Sequence, residues 1–429
     1  MKFAIYTLGC KVNQYESQAL EKELLARGYE EGRFDEPCDL YIVNTCTVTA
    51  VSDKKSRNAL RRARKLNPDA VIGVCGCYAQ VKPGDMDKLD VDVVGGTGQR
   101  SAFIGRMEQF LRDRQKTVLV DNALKRRDFE VLEPGGLGER TRAMLKVEDG
   151  CVNFCAYCII PYARGAIRSL PIDTAVAQVQ ALRDQGYREV VVTGIEISSW
   201  GQDLKTGETL QDLIRAICLA APDMRVRLGS LEPRTVDRAF CEALKDLKNL
   251  CPQFHLSLQS GCDETLRRMR RKYDTERYLE SCDLLRAYFP GCAITTDLIV
   301  GFPGETGAEF AATLAFLEKV GFAAMHIFPY SRRTGTPAAE MPDQIPLAEK
   351  ERRAAQAGAV EQKLRRAYQA QFLGNALPVL FEQQDSKGFW TGHAPNYVFV
   401  EVPGQDLHNQ IRQVRITGLT DKGLVGEVI

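Results

Sequence analysis

Three textures along the 429 residues predict an α/β protein in three parts. These are an N-terminal domain on a parallel α/β sheet, a middle domain of six βα repeats, and a small C-terminal β-barrel. The first observation is that short β-rich runs alternate with polar helical stretches through most of the chain, the pattern of parallel strands covered by helices. The second is a break in which Pro134, Gly135, Gly136 and Gly138 sit among charges, a composition suited to a linker. The third is a change after about Leu364 to short alternating runs punctuated by Gly and Pro. The expected domains are 1–124, 139–366 and 367–429, with 125–138 as the linker.

In the first domain, Lys2 to Leu8, Asp39 to Val43, Ala70 to Val74 and Val91 to Val94 read as strands. Three of these runs finish at or close to a cysteine: Cys10, Cys46 and Cys77. Ligands of open α/β sheets sit beyond the carboxyl ends of the strands, so three thiols at three strand ends should converge. Convergence suits a metal cluster; the plain alternative is small buried residues, since free Cys is commonly buried. Cys75 is a second candidate in Cys75-Gly76-Cys77. It lies inside the strand and Cys77 at its exit, which favours Cys77.

In the middle domain the strand-like runs are Met144 to Glu148, Glu189 to Val192, Arg225 to Leu228, Phe254 to Leu258, Ala293 to Val300 and Ala324 to Phe328. Six βα units build a partial barrel of the triosephosphate-isomerase type, with its site at the strand C-termini. The loop after the first strand reads Cys151-Val-Asn-Phe-Cys155-Ala-Tyr-Cys158. A C-x3-C-x2-C spacing can supply three thiolates to a cubane, and with no fourth cysteine nearby one iron stays open. A structural zinc site wants four closed ligands, and the next histidine is His255. The other strand exits are polar or glycine-rich: Thr193-Gly194-Ile195-Glu196, Gly229-Ser230-Leu231-Glu232-Pro233, His255 to Gly261 and Asp297 to Glu305. Each alone is compatible with an ordinary turn; together they occupy the address of a barrel active site.

The last part offers Val379 to Phe381, Tyr397 to Val402, Val414 to Thr417 and Leu424 to Val428 as short strands. Its aromatic residues Phe389, Trp390 and Tyr397 suit either base stacking or a barrel core.

Composition bounds the function. Hydrophobic content of 44% and charged content of 26% are those of a soluble globular protein. No apolar run approaches the ~18 residues of a membrane helix, and the apolar stretch before Cys10 is too short for a signal peptide. Fourteen cysteines in a chain of this size point to free thiols under reducing conditions, hence a cytoplasmic protein that uses cysteine for metal or catalysis. Four histidines leave little room for His acid–base chemistry. With a net charge of +1, a nucleic-acid partner must be met by local patches. The stretch Lys54 to Lys65 holds seven basic residues and no acid, and at helical spacing Lys54, Lys55, Arg57, Arg61, Arg62 and Arg64 are candidates for tracking phosphates. A solvated helix face is the plain alternative. Arg267 to Lys272 is a second basic concentration.

The segment from Gly150-Cys151 through Cys158-Ile159-Ile160-Pro161-Tyr162-Ala163-Arg164-Gly165 to Arg168-Ser169 resembles the radical S-adenosylmethionine (SAM) enzymes, in particular their methylthiotransferase branch. Thr7-Leu8-Gly9-Cys10-Lys11-Val12-Asn13-Gln14, Asn44 to Thr49 and Gly76 to Gln80 resemble that branch's N-terminal domain, and the C-terminal part resembles a TRAM domain. The resemblance implies two [4Fe-4S] clusters. One is a radical SAM cluster on Cys151, Cys155 and Cys158, whose open iron binds SAM and generates a 5′-deoxyadenosyl radical. The other is an auxiliary cluster on Cys10, Cys46 and Cys77. It implies SAM contacts from Tyr157, Gly194, Glu196, Ser230, Glu232, Gln259 and Gly301, and no catalytic residues beyond the cluster ligands. At Ile195 the usual central glycine of the stretch meeting the SAM amino group is replaced. The implied activity is methylthiolation at C2 of N6-threonylcarbamoyladenosine beside the tRNA anticodon, with tRNA, SAM and an electron-donor protein such as a flavodoxin or ferredoxin as partners. Sister branches act on isopentenyladenosine in tRNA or on a ribosomal protein, and a metal-stabilised RNA-binding protein without catalysis is the reading from another class.

Overall fold

Leu40–Thr45 and Val71–Gly76 are buried from end to end, which is what a central strand with helices on both faces requires. In the computed structural model, which describes residues 1–134 and 141–429, these strands lie in the middle of a six-stranded parallel sheet. Its order is Glu30–Glu31, Lys2–Thr7, Leu40–Thr45, Val71–Gly76, Val93–Gly95, Thr117–Leu119. Side chains alternate between faces. Tyr41, Val43, Ile72 and Val74 pack with Leu60 and Ala63 of the helix Ala50–Leu66. Leu40, Ile42 and Val71 pack on the other face with Leu20, Phe103 and Met107. The four expected strands are present; the strands at the two edges, Glu30–Glu31 and Thr117–Leu119, are too short to give a periodic signal. The expected linker glycines Gly135, Gly136 and Gly138, and the expected first residue of the next domain at 139, lie outside the described residues.

The middle part is a row of parallel strands: Arg142–Lys146, Glu189–Thr193, Arg225–Leu228 continuing as Ser230–Leu231, Gln253–Leu256, Ala293–Val300 and Ala324–Pro329. Six strand positions with covering helices give the expected partial barrel. The row is interrupted at Gly229, whose absent Cβ would stand 3.0 Å from the Val192 carbonyl. Helix ends are capped by side chains. Thr306 and Glu309 form a reciprocal box at the start of Gly307–Val320, and Asp274 accepts from the Arg277 amide at 2.9 Å.

The helix Leu347–Ala370 runs across the expected boundary at 366/367 and delivers the chain to a closed barrel of five strands. Four of them coincide with the expected runs; the fifth, Phe389–His393, carries the aromatic residues Phe389 and Trp390. This barrel packs on the N-terminal ends of the middle strands. Ala293 and Ala323 join its core, Tyr368 Oη donates to the Gly291 carbonyl at 2.9 Å, and Arg225 Nη2 donates to the Pro378 carbonyl at 2.9 Å. Among the described residues no helix is long and apolar enough to cross a membrane.

A buried ionic cluster joins the first two parts. Glu16, on the helix Lys11–Ala26, accepts from Arg100 Nη2 at 2.6 Å, Lys146 Nζ at 3.0 Å and the Arg164 guanidinium. Asp149 pairs with Lys146 at 2.8 Å and Arg168 at 3.1 Å, and Arg164 Nη2 also reaches Asn13 Oδ1 at 2.6 Å. All six charged side chains are nearly inaccessible. The neighbouring cations hold the Glu16 carboxyl well below the usual range despite burial, which opposes its ionisation. A second tie closes the opposite side: Arg333 Nη2 reaches Thr47 Oγ1 at 2.6 Å and Asp53 Oδ2 at 2.7 Å.

Removing one partner from a buried ion cluster leaves the others uncompensated. Glu16→Ala is therefore expected to destabilise the protein by about 3–5 kcal/mol in urea unfolding; a loss below about 1 kcal/mol would show that water enters the cluster freely.

Candidate active site

The loop carrying Cys151, Cys155 and Cys158 leaves the first barrel strand and is pinned at several points. Gly150, at φ +105°, leaves no room for a side chain, since a Cβ would stand 2.0 Å from the Ala166 carbonyl. The Cys151 amide donates to the Gly165 carbonyl at 3.0 Å, the Ala156 amide to the Met269 carbonyl at 3.0 Å, and the Cys158 amide to the Cys155 carbonyl at 3.0 Å. The three thiols lie within each other's electrostatic reach. Burial pushes the Cys158 thiol up to about 12 and raises that of Cys151 as well. Arg271 Nη1 stands 3.1 Å from Cys155 Sγ.

Cys10, Cys46 and Cys77 also come together, at the carboxyl ends of three neighbouring strands. Gly9, at φ +109°, backs directly onto Cys46, whose Cβ and Sγ would lie 2.9 and 3.1 Å from a Cβ at that position. Cys77 feels both Cys10 and Cys46 and is hydrogen-bonded by Arg164; burial pushes its thiol up to about 12. Gly76 turns the chain at φ +94°, where a Cβ would meet Asn44 Oδ1 at 2.5 Å, so that Cys77 begins a new short helix facing the other two thiols. Cys75 points to the other face, into the core with Phe3, Ile42 and Phe103.

Each set of thiols thus has an arginine against one sulfur, the half-buried Arg271 at Cys155 and the buried Arg164 at Cys77, the partner that an electron-rich thiolate needs. Around Cys77 the fit is reinforced, because the ionic cluster holds four cations (Arg100, Lys146, Arg164, Arg168) against two carboxylates (Glu16, Asp149). Among the described residues no three His, Cys, Asp or Glu side chains gather closely enough to hold one metal ion. A single tetrahedral ion needs its sulfurs in one ~2.3 Å shell; a cubane takes each thiolate on a separate iron and tolerates wider spacing.

Between the sets lies a cavity of about 280 Å³. Val48 and Thr49, just beyond Cys46, line one side; Tyr157 and Cys158 line another; Gln259, Asp297 and Phe328 from the strand exits close it. Of the expected SAM residues, Tyr157 and Gln259 line this space. Gly194 and Glu196 form a loop held by Glu148, whose Oε2 accepts from the Glu196 amide at 2.7 Å and lies 2.8 Å from where a Cβ at Gly194 would be. Burial pushes the Glu196 carboxyl up to about 7, and Asn153 Nδ2 donates to it at 3.4 Å. Glu232 is buried and paired with Arg234 at 2.9 Å, while Ser230 is exposed. Gly301, at φ +69°, packs on Lys350, and its amide donates to Glu305 Oε2 at 2.8 Å. Arg271 and Arg164 were not expected in these places. Arg271 sits in the run Arg267 to Lys272, where charge alone does not separate it from Arg267, which pairs with Glu264 on the surface.

The basic helix Ala50–Leu66 divides in two. Lys54, Lys55, Arg61 and Arg62 are exposed. Arg64 is occupied by Asp90 at 3.0 Å and Asp92 at 2.9 Å, and Arg57 donates to Tyr78 Oη at 3.2 Å.

Comparisons with known proteins fit this layout. Residues 145–317 match the radical SAM superfamily, and residues 2–96 match an uncharacterized protein family, UPF0004. A threonylcarbamoyladenosine tRNA methylthiotransferase, MtaB, from Bacillus subtilis is 39% identical over 96% of this chain and 93% of its own length. The chain belongs to the radical SAM tRNA methylthiotransferase family. MtaB of Thermotoga maritima is 36% identical over 98% of the methylthiotransferase described here and 95% of its own length. A tRNA-2-methylthio-N(6)-dimethylallyladenosine synthase from Symbiobacterium thermophilum is 34% identical over 99% and 94% of the respective chains. Among solved structures, the radical S-adenosylmethionine methyltransferase TsrM of Kitasatospora setae shares the fold at a TM-score of 0.57 and 16% identity, over 79% of this chain and 75% of its own. Membership of the superfamily brings SAM and a [4Fe-4S] cluster to the methylthiotransferase.

A cation against a cluster thiolate lowers the energy of the reduced, more negative state. Arg271→Ala is expected to move the cluster's midpoint potential to more negative values in a potentiometric titration and to lower 5′-deoxyadenosine release about tenfold, with Arg271→Lys in between. An unchanged potential would limit Arg271 to holding the loop.

Proposed function

We propose that this methylthiotransferase transfers a methylthio group to C2 of N6-threonylcarbamoyladenosine beside the tRNA anticodon. Cys151, Cys155 and Cys158 hold the radical SAM cluster, and Cys10, Cys46 and Cys77 hold a second [4Fe-4S] cluster. The observation that carries the reading is the pair of thiol sets, each with its own arginine, on either side of one cavity. The named activity of the MtaB relatives supports the choice of nucleoside.

The chemistry explains the need for this apparatus. An aromatic C–H has no useful acidity at neutral pH, so acid–base side chains cannot activate it. When bound, the clusters and SAM supply a 5′-deoxyadenosyl radical, sulfur and a methyl group at the substrate. The chain's own residues do the positioning. In this reading Glu196 receives the amino group of SAM, and the Glu148 carboxylate, bound to the Glu196 amide, fixes its loop. Tyr157 and Gln259 flank the cavity, and Ile159, Ile299 and Phe328 present apolar walls that exclude water from a reactive intermediate. Gly194, Ser230, Glu232 and Gly301 lie at strand exits on the same side of the barrel and complete the SAM surface.

The exposed cations Lys54, Lys55, Arg61 and Arg62 form the part of the helix that meets the tRNA backbone, while Arg57 and Arg64 brace it. The closed C-terminal barrel takes the place of a TRAM domain. Reduction of the clusters requires an electron-donor protein such as a flavodoxin or ferredoxin, and the setting of the reaction is the cytoplasm.

Mass spectrometry of tRNA nucleosides from cells lacking the protein should show N6-threonylcarbamoyladenosine without its 2-methylthio form. Loss of a methylthiolated isopentenyladenosine instead would transfer the enzyme to the sister activity. After anaerobic reconstitution about eight irons are expected. Cys151→Ala should abolish 5′-deoxyadenosine formation, whereas Cys77→Ala should retain it and lose methylthiolation; a fully active Cys77→Ala would remove the second cluster from that position. The double substitution Arg61→Ala, Arg62→Ala should reduce the salt slope of tRNA binding by about 1–2, and Arg64→Ala should instead lower stability.

A further inference from the structure

A second cavity, of about 400 Å³, opens where all three parts of the chain meet. Lys11 and Gln14 line it from the N-terminal domain, Arg142 and Arg227 from the barrel strands, and Glu382 and Tyr397 from the C-terminal barrel. Two of its three cations are taken. Arg142 pairs with Glu382 at 2.8 Å, and Arg227 grips Glu189 at 2.7 and 3.1 Å while donating to the Pro395 carbonyl at 2.8 Å. Glu382 is further occupied by His393 Nδ1 at 2.6 Å. Among the described residues the Lys11 ammonium has neither a hydrogen-bond nor an ion-pair partner, and its side chain is exposed to the cavity.

Its position makes this costly. Lys11 opens the helix Lys11–Ala26, whose first turn holds no acidic residue, and a cation at a helix N-terminus faces the positive end of the dipole. Tyr397 adds an independent sign of a prepared site. It is a non-glycine residue at φ +64°, a strained conformation that persists where the surroundings dictate it. Its ring is held under Arg227 at 4.7 Å and Arg142 at 5.3 Å and stacks on His393 at 4.5 Å.

Lys11 follows Cys10 directly in the chain. In adenine, N6 and C2 flank N1 on one edge of the base, so a base presenting C2 to the Cys10 side brings an N6 substituent to the neighbouring residue. We propose that this cavity receives the N6 appendage of the substrate base and that Lys11 binds its carboxylate, making Lys11 a specificity-determining residue. The inference rests on the threonylcarbamoyl reading above. An anionic oxygen could equally belong to a flanking phosphate; the two sources differ in what happens when the carboxylate alone is masked.

The test uses the reconstituted holoenzyme and two anticodon stem-loops, one with the free threonylcarbamoyl carboxylate and one with its methyl ester, at one fixed salt concentration. A charge-assisted contact predicts that wild type binds the acid at least about tenfold more tightly than the ester by fluorescence anisotropy. Lys11→Met should bind both forms with equal affinity, close to that of wild type for the ester, and Lys11→Arg should restore most of the preference. Lys11→Gln serves as a second neutral variant, and the melting transitions of all three report folding. Wild-type discrimination retained in Lys11→Met and Lys11→Gln overturns the proposal, as does equal weakening of acid and ester, which assigns Lys11 to a phosphate. Turnover of the two stem-loops by wild type separates the levels. If neither is methylthiolated, the nucleoside assignment fails; if the acid is methylthiolated but Lys11 variants keep the preference, only the role of Lys11 fails.

Discussion

The cluster centred on Glu16 is the interaction on which the rest of the arrangement depends. One carboxylate is shared by Arg100 from its own domain and by Lys146 and Arg164 from the barrel, with Asp149 and Arg168 completing the group. Such a group is a poor source of net stability, because desolvating six charges offsets most of their attraction. What it supplies is position. Its geometry is satisfied in one relative placement of the two domains, and the same Arg164 that binds Glu16 also reaches Cys77. The separation between the two cysteine sets is therefore set by side chains that are themselves locked. The tie from Arg333 to Asp53 and Thr47 repeats the principle across the cavity.

This layout divides labour by rigidity. The thiols stand on loops fixed by glycines with no room for a side chain, at Gly9, Gly76 and Gly150, whereas the cavity between them is lined by residues from separate elements: Val48, Tyr157, Gln259 and Phe328. A barrel whose strand exits all point one way allows this, since each βα loop changes its cargo without disturbing the packed helices behind it.

Much of this was legible in the sequence, for physical reasons. The strands Leu40–Thr45 and Val71–Gly76 are buried on both faces, so their first four residues, Leu-Tyr-Ile-Val and Val-Ile-Gly-Val, read as apolar, β-rich runs. Cysteines at successive strand exits converge in an open parallel sheet. Cys77 parts from Cys75 because the strand ends at Gly76, whose φ of +94° turns Cys77 into a new helix while Cys75 stays in the core. What stayed hidden depends on contacts between residues far apart. Arg271 differs from Arg267 and Arg270 only in what it meets, Cys155. Arg64 resembles Arg61 until Asp92 is found beside it. The strand Phe389–His393 contains Gly392, which lies against the Leu380 carbonyl, where a Cβ would be 2.1 Å away; a glycine inside a short run weakens the periodic signal.

The ionic cluster also bears on how such proteins exchange parts. Its members come from positions 16, 100, 146, 149, 164 and 168, so any recombination event that replaced the first domain while keeping the barrel would separate Glu16 and Arg100 from the four others. A hybrid assembled from two lineages has to inherit both halves of that charge set from one ancestor, or rewrite them together. The third part meets the barrel partly through main-chain carbonyls of Pro378 and Pro395, acceptors that every sequence possesses. The Arg142–Glu382 pair and the arginines on Tyr397 tie it to side chains as well, so a traded third segment would have to bring or rebuild those partners too.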